Sequence, residues 1–228
     1  RLDAGDPGGV EGCAWGEGAL AAPPCVAVVF PGLGSQRIDM FRELALGNRD
    51  AVRLIETADA TAATELPTAL SAVLYPPAGF TPQEILQRIE TLRSADCAQP
   101  ALAVAEALAW QTLRGYGLRP AMAGGHSFGE LSALHAAGVL AFDDLIRLCT
   151  RRGRVMQAAA AAIPGGMAAV MADRETVAAV LAEVGGGVGA ANFNAPRQVV
   201  VSGPEAGLAA VCARFEAQGV RCVRLAVS

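Results

Sequence analysis

Two glycines bracketing a serine, in Gly125-His126-Ser127-Phe128-Gly129, narrow what this chain can fold into more than any other stretch. The five residues follow Pro120 and a short apolar run, Ala121 to Ala123, and precede an alanine-rich amphipathic stretch from Glu130 to about Ala137. That order places Ser127 on a turn between a strand and a helix, with a glycine at each point where the backbone must double back. Two readings fit such a turn. One is a nucleophile elbow, in which the serine Oγ stands exposed above a sheet and the N–H of Phe128, at the first turn of the following helix, is left to hydrogen-bond an oxyanion. The other is a βα turn with an incidental serine.

The rest of the composition bounds the choice. A chain of 228 residues, 53% of them hydrophobic, can bury a sizeable core in one large domain or in a large and a small one. The long uncharged stretch Val155 to Ala172 is broken by Pro164-Gly165-Gly166, so it predicts no membrane span. The chain does not open on a basic segment, an apolar segment and a cleavage site, and the expectation is cytoplasmic residence. A net charge of −4, scattered arginines and no lysine argue against a nucleic-acid footprint and exclude lysine chemistry. Six cysteines without a C-x-x-C spacing, beside only two histidines, predict free thiols in a reducing compartment and no metal site.

Residues 1–24, rich in Gly and Ala and without hydrophobic period, read as a linker, and the start at Arg1 suggests a piece of something longer. Cys25 to Phe30 is a continuous apolar run, the mark of a buried parallel strand. It runs into Pro31-Gly32-Leu33-Gly34-Ser35-Gln36, whose glycines allow a ligand close to the backbone, and then a helix over Asp39 to Ala45. This loop lacks the lysine of a phosphate-binding loop and the third glycine of a dinucleotide fingerprint, so it does not predict a nucleotide site. Further helices are expected over Asp50 to Thr64, from Pro82 to Arg93 behind a Thr81/Glu84 capping box, over Pro100 to Arg114, and over Phe142 to Ala162. The last of these carries Arg147, Arg151, Arg152 and Arg154, a pattern that usually means a solvated face.

The final third changes rhythm. Strand-like segments at Met167–Met171, Val188–Phe193, Gln198–Ser202 and Val220–Val227 alternate with helical ones at Arg174–Val184 and Glu205–Gln218. The order β-α-β-β-α-β is that of a split βαβ, ferredoxin-like unit. The expected fold is therefore α/β: a hydrolase-like large subdomain over 25–162, incomplete at its C-terminus, and a ferredoxin-like small subdomain over 163–228.

At this level of detail the chain resembles the malonyl-CoA:acyl carrier protein transacylases and the acyltransferase domains of polyketide and polyunsaturated fatty-acid synthases. Five motifs in order carry the resemblance: Phe30 to Gln36, Gln99-Pro100-Ala101-Leu102, Gly125 to Glu130, Arg152 to Gln157, and Asn192 to Gln198. The resemblance implies that Ser127 takes a malonyl group from malonyl-CoA as an ester and passes it to the phosphopantetheine thiol of an acyl carrier protein. It implies an oxyanion hole from the backbone N–H groups of Phe128 and Leu33, although most members carry Gln where Leu33 stands. Arg152 matches the arginine that binds the free malonyl carboxylate, a task suited to a planar guanidinium. Gln99 lies near the site in the family, and Asn194 falls where the pantetheine arm passes. Phe128, as a bulky residue after the serine, matches malonyl-selective members. No cofactor is bound in the family, and neighbouring synthase domains are the expected partners besides the carrier protein.

One departure stands out. The family draws its base from a histidine a few residues beyond the stretch matching Leu225 to Ser228, whereas this chain has only His126 and His135. His126 adjoins the serine with its side chain leaving in another direction, and His135 is about 12 Å further along a helix. The expectation is a chain that stops short of its base and is catalytically incompetent alone. Two alternatives remain open: a non-catalytic, acyltransferase-like docking domain, and a lipase-type serine hydrolase.

Overall fold

The computed structural model describes residues 9–10, 13–14, 25–162 and 164–225. Gly9–Val10 (β1) pairs antiparallel with Cys13–Ala14 (β2), and the remainder of the expected linker lies outside the described residues. The apolar run after it forms a strand, Ala27–Phe30 (β3), paired in parallel with Met122–Gly125 (β4) so that Phe30 stands opposite Gly125. The parallel pairing agrees with the sequence, but burial on both faces does not. Phe30 is buried while Val29 is 80% exposed, because among the described residues β3 has one neighbouring strand and is covered on one face by the helix that follows β4.

Five helices join β3 to β4. Arg42–Gly47 (α1) begins three residues later than predicted, since Asp39 and Phe41 adopt φ of 60° and 57° and interrupt any earlier helix. Arg49–Ala62 (α2) is capped by the Asn48 side chain, which accepts from the Asp50 N–H at 2.8 Å. Leu70–Leu74 (α3) was not expected; its five residues are too few to display a period, and it is held by Asp59, which accepts from the N–H and hydroxyl of Ser71. Pro82–Arg93 (α4) has the predicted capping box, with Thr81 Oγ1 accepting from the Glu84 N–H and the Glu84 carboxylate accepting from the Thr81 N–H. Ala95–Gly115 (α5) starts five residues before Pro100, correcting the prediction that the proline opens the helix. Its first N–H, that of Ala95, is taken at 3.0 Å by Gln157 of a later helix, a long-range cap that replaces a local one.

Gly129–Ala136 (α6) follows β4, and Phe142–Ala162 (α7) spans the predicted residues and packs along α5. The crossing is close enough that a Cβ on Gly153 would lie 2.4 Å from the Ala95 carbonyl oxygen. Cys97 to Leu108 of α5 are buried without a break, which makes this helix the axis of the larger core.

Beyond it come Gly165–Val170 (β5), Arg174–Val184 (α8), Gly189–Ala195 (β6), Gln198–Pro204 (β7), Glu205–Ala217 (α9) and Cys222–Leu225 (β8). The strands lie in the order β6-β7-β5-β8, every pair antiparallel. Alternate residues Ala168 and Val170 of β5, with Val199 and Val201 of β7, point into a second core closed by Val177 and Val180 of α8 and Leu208, Val211 and Phe215 of α9. The predicted β-α-β-β-α-β order is present, with the last strand described over Cys222–Leu225; 226–228, where the strand was expected to continue to Val227, lie outside the described residues. Among the described residues, no helix is long and apolar enough to cross a membrane.

Candidate active site

The elbow is built by backbone crowding. A Cβ on Gly125 would meet the Gly129 carbonyl carbon at 2.0 Å, and one on Gly129 would meet the Phe30 oxygen at 2.1 Å, so neither position accepts a side chain. Between them Ser127 takes φ of 55°, left-handed backbone that a non-glycine residue adopts at a cost. The turn is pinned by the His126 N–H donating to the Phe30 carbonyl at 3.0 Å and the Gly129 N–H donating to the His126 carbonyl at 3.0 Å. Phe128 is fully buried and anchors the turn, while Ser127 is exposed. The Phe128 side chain thus packs in the core with Leu102 and Cys149, which is where its bulk acts.

The opening loop closes on this turn. Gly32 sits so near that a Cβ there would be 2.8 Å from the His126 carbonyl oxygen and 3.5 Å from Ser127 Cβ. Leu33 follows immediately, its side chain packed against the larger core and its N–H, like that of Phe128, in no hydrogen bond among the described residues. Unspent N–H groups on two segments that converge at a serine are what an oxyanion requires.

A second cluster joins α5 to α7. Arg152 Nη1 donates to Gln99 Oε1 at 2.6 Å, and Gln99 Nε2 donates to Met156 Sδ at 3.2 Å. Gln99 is fully buried with both ends of its amide engaged, so it fixes the half-buried Arg152. Leu102 and Cys149, one turn from Gln99 and Arg152 on their helices, belong to the core that Phe128 enters. The neighbouring arginines are spent differently: Arg154 pairs with Glu65 at 3.0 Å, Arg147 pairs with Asp144 at 3.1 Å, and Arg151 faces solvent. Arg152 has a neutral partner, which leaves its charge for an anion. Burial pushes the Cys149 thiol beside it up to about 12, against the pull of the guanidinium.

Four features were not read from the sequence. His126 Nε2 meets Asn194 Oδ1 at 2.8 Å, giving the elbow a partner on β6, 68 residues away. His135 turns from the elbow and places Nδ1 2.9 Å from the Leu140 carbonyl, which can only accept. Glu106 of α5 is 4% exposed and faces Ser132 of α6, its carboxyl pushed up to about 7 chiefly by burial and pulled down by Ser132. The two groups fall short of hydrogen-bond geometry, and neither oxygen of Glu106 has a partner among the described residues. The one available signal for Glu106 was an acid in the middle of an apolar helix. Cys212 of α9 and Cys222 of β8 also approach, to 2.6 Å between sulfurs, which their spacing did not announce.

Residues 27–228 match the model of the acyl transferase domain. The chain belongs to the acyltransferase domain family. A type I phenolphthiocerol synthesis polyketide synthase of Mycobacterium marinum is 42% identical over 204 residues, covering 89% of this chain and 9% of that protein. A malonyl-CoA:acyl carrier protein transacylase from Xanthomonas oryzae superposes with a TM-score of 0.76 at 38% identity, over 90% of this chain and 62% of that one. The acyltransferase domain from the second module of the salinomycin polyketide synthase gives 0.75 at 33% identity, over 91% and 46%. The acyltransferase-domain chain therefore shares the α/β fold of these proteins while spanning less than two thirds of their length.

Proposed function

We propose that this chain carries the acyl-transfer site of a malonyl-CoA:acyl carrier protein acyltransferase within polyketide or fatty-acid synthesis. The observation that carries the reading is the strained, exposed Ser127 held between Gly125 and Gly129, with the Gly32 loop seated against it. In the first half-reaction the serine Oγ forms an ester bond to the malonyl carbonyl carbon, the thioester C–S bond breaks, and coenzyme A leaves as the thiol with the serine proton. In the second, the phosphopantetheine thiol of a carrier protein takes the malonyl group and the serine is restored. The N–H groups of Leu33 and Phe128 stabilise the oxyanion in each tetrahedral intermediate. Arg152, oriented by Gln99, receives the free carboxylate. We assign the proton of Ser127 to neither histidine, since among the described residues neither ring hydrogen-bonds the serine hydroxyl: His126 Nε2 lies on Asn194 and His135 Nδ1 on Leu140. In this reading the four-stranded sheet and its two helices are a ferredoxin-like small subdomain carried by a hydrolase-like large one.

Mixed with malonyl-CoA, the full-length native protein should gain one malonyl group by intact mass, mapping to the peptide that contains Ser127. Ser127→Ala should gain none, and labelling that persists in that variant would place the nucleophile elsewhere.

A further inference from the structure

We propose that Asn194 is a positioning residue: from the small sheet it holds the His126 imidazole in its Nε2–H form beside the turn that presents Ser127. The inference rests on the acyl-transfer reading for its consequence, but its structural half stands without it. With the Asn194 amide oriented so that Oδ1, which only accepts, lies 2.8 Å from His126 Nε2, the matching tautomer of His126 is the one protonated at Nε2.

The placement of Asn194 is built into the ladder. Phe193 pairs with Val199 and Ala195 with Gln198, so Asn194 falls in a register irregularity between β6 and β7. An unpaired residue at such a bulge has its side chain re-aimed out of the regular alternation, here toward the elbow. His126 is equally constrained, its N–H given to Phe30 and its carbonyl taken by Gly129. With Nε2 committed, the other nitrogen, Nδ1, faces the opening loop, 3.3 Å from where a Cβ of Gly32 would be. His126 is thus gripped on one side by β6 and abuts on the other the loop that supplies Leu33. A change in the seating of the small sheet moves the imidazole, and the imidazole borders the gap between the Gly32 loop and Ser127. Asn194 therefore acts through His126 on the acylation step, whereas a pantetheine contact would act on binding.

The chain has only two histidines, which makes the test direct. Nitrogen-15 spectra of the imidazoles at pH 8 should show His126 protonated at Nε2 and His135 protonated at Nδ1. A His126 protonated mainly at Nδ1 overturns the proposal, whatever the enzymatic result. Asn194→Ala should release His126 into a mixture of the two forms and slow formation of the malonyl ester roughly five- to tenfold, the worth of one neutral hydrogen bond. The apparent KM for malonyl-CoA should stay within about twofold. Asn194→Asp keeps an acceptor at the same point and should restore both the Nε2–H form and most of the rate. A rise in KM at unchanged rate would make Asn194 a ligand contact and refute the positioning role, as would an unchanged rate and KM. If the wild-type protein forms no malonyl ester while His126 still has the Nε2–H form, the acyl-transfer reading fails and the side-chain assignment survives.

Discussion

In the function proposed above, a single guanidinium, that of Arg152, separates a malonyl site from a site for any acyl group. Arg152 spends one N–H on the buried oxygen of Gln99 and has a neutral partner there, so its charge is not cancelled before a substrate arrives. Removing it leaves the substrate carboxylate desolvated without a charge-assisted partner, so Arg152→Ala should lower malonyl transfer roughly 30- to 1000-fold. Acetyl transfer by the same variant should be unchanged or faster, and the ratio of the two rates, measured by acyl-enzyme formation, is the readout. An equal fall in both would make Arg152 a structural residue. The residues legible in the sequence were those whose constraint is local: Gly125 and Gly129 are dictated by backbone contacts within the turn and with the preceding strand, and the serine between them follows. The grip of Asn194 on His126 was not legible, because it joins residues 68 apart through a ladder irregularity that no periodicity displays. The resemblance offered Asn194 as a pantetheine contact, and the structure adds a partner for its oxygen that the resemblance did not, His126.

The larger core is organised by α5, and among the described residues its one buried carboxyl lies where α5 meets α6. Glu106 borders a cavity of about 230 Å3 lined by Val28, Phe30, Met40 and Trp110, surroundings that cannot solvate a carboxylate. Its carboxyl is raised from 4.5 in the unfolded chain to about 7 in the fold. Between those values the native state holds a proton that the unfolded state has lost, so stability falls as pH rises through that window and levels off above it. The span corresponds to about 3 kcal/mol. Glu106→Gln should therefore flatten the dependence between pH 5 and pH 8, and stabilise the protein at pH 8 by about 1–3 kcal/mol in urea unfolding. A wild-type protein as stable at pH 8 as at pH 5 would count against a buried, protonated Glu106. Elements with sustained period, such as α7 and α8, were readable to the residue, and so was the capped start of α4. Those set by tertiary contact were not: α5 begins early because Gln157 of α7 caps it, and α1 begins late because Asp39 and Phe41 turn left-handed, with the Asp39 N–H donating to the Leu74 carbonyl at 2.8 Å.

Across the whole molecule the cores are separate. The cluster around Leu102, Phe128 and Leu145 shares no residue with the cluster around Val201, Leu208 and Phe215. No helix or strand of the four-stranded unit packs extensively along an element of the larger one among the described residues, and the His126–Asn194 bond is an exposed bridge between them. Units coupled so weakly should open independently, since an exposed neutral hydrogen bond transmits little of either unit's stability. Leu208, fully buried on α9, offers the test. Leu208→Ala should cost the smaller unit about 2–5 kcal/mol through lost burial and the cavity left behind. In native-state hydrogen exchange read by mass spectrometry, amides of β5 and β7 should lose protection by that amount, while amides of α5 and α7 keep theirs. The elbow peptide reports the coupling: if it follows α5, the small sheet can open without dismantling the turn that holds Ser127. Equal loss of protection in β7 and α5 would mean that the chain unfolds as one body, with the two cores joined by more than one surface hydrogen bond.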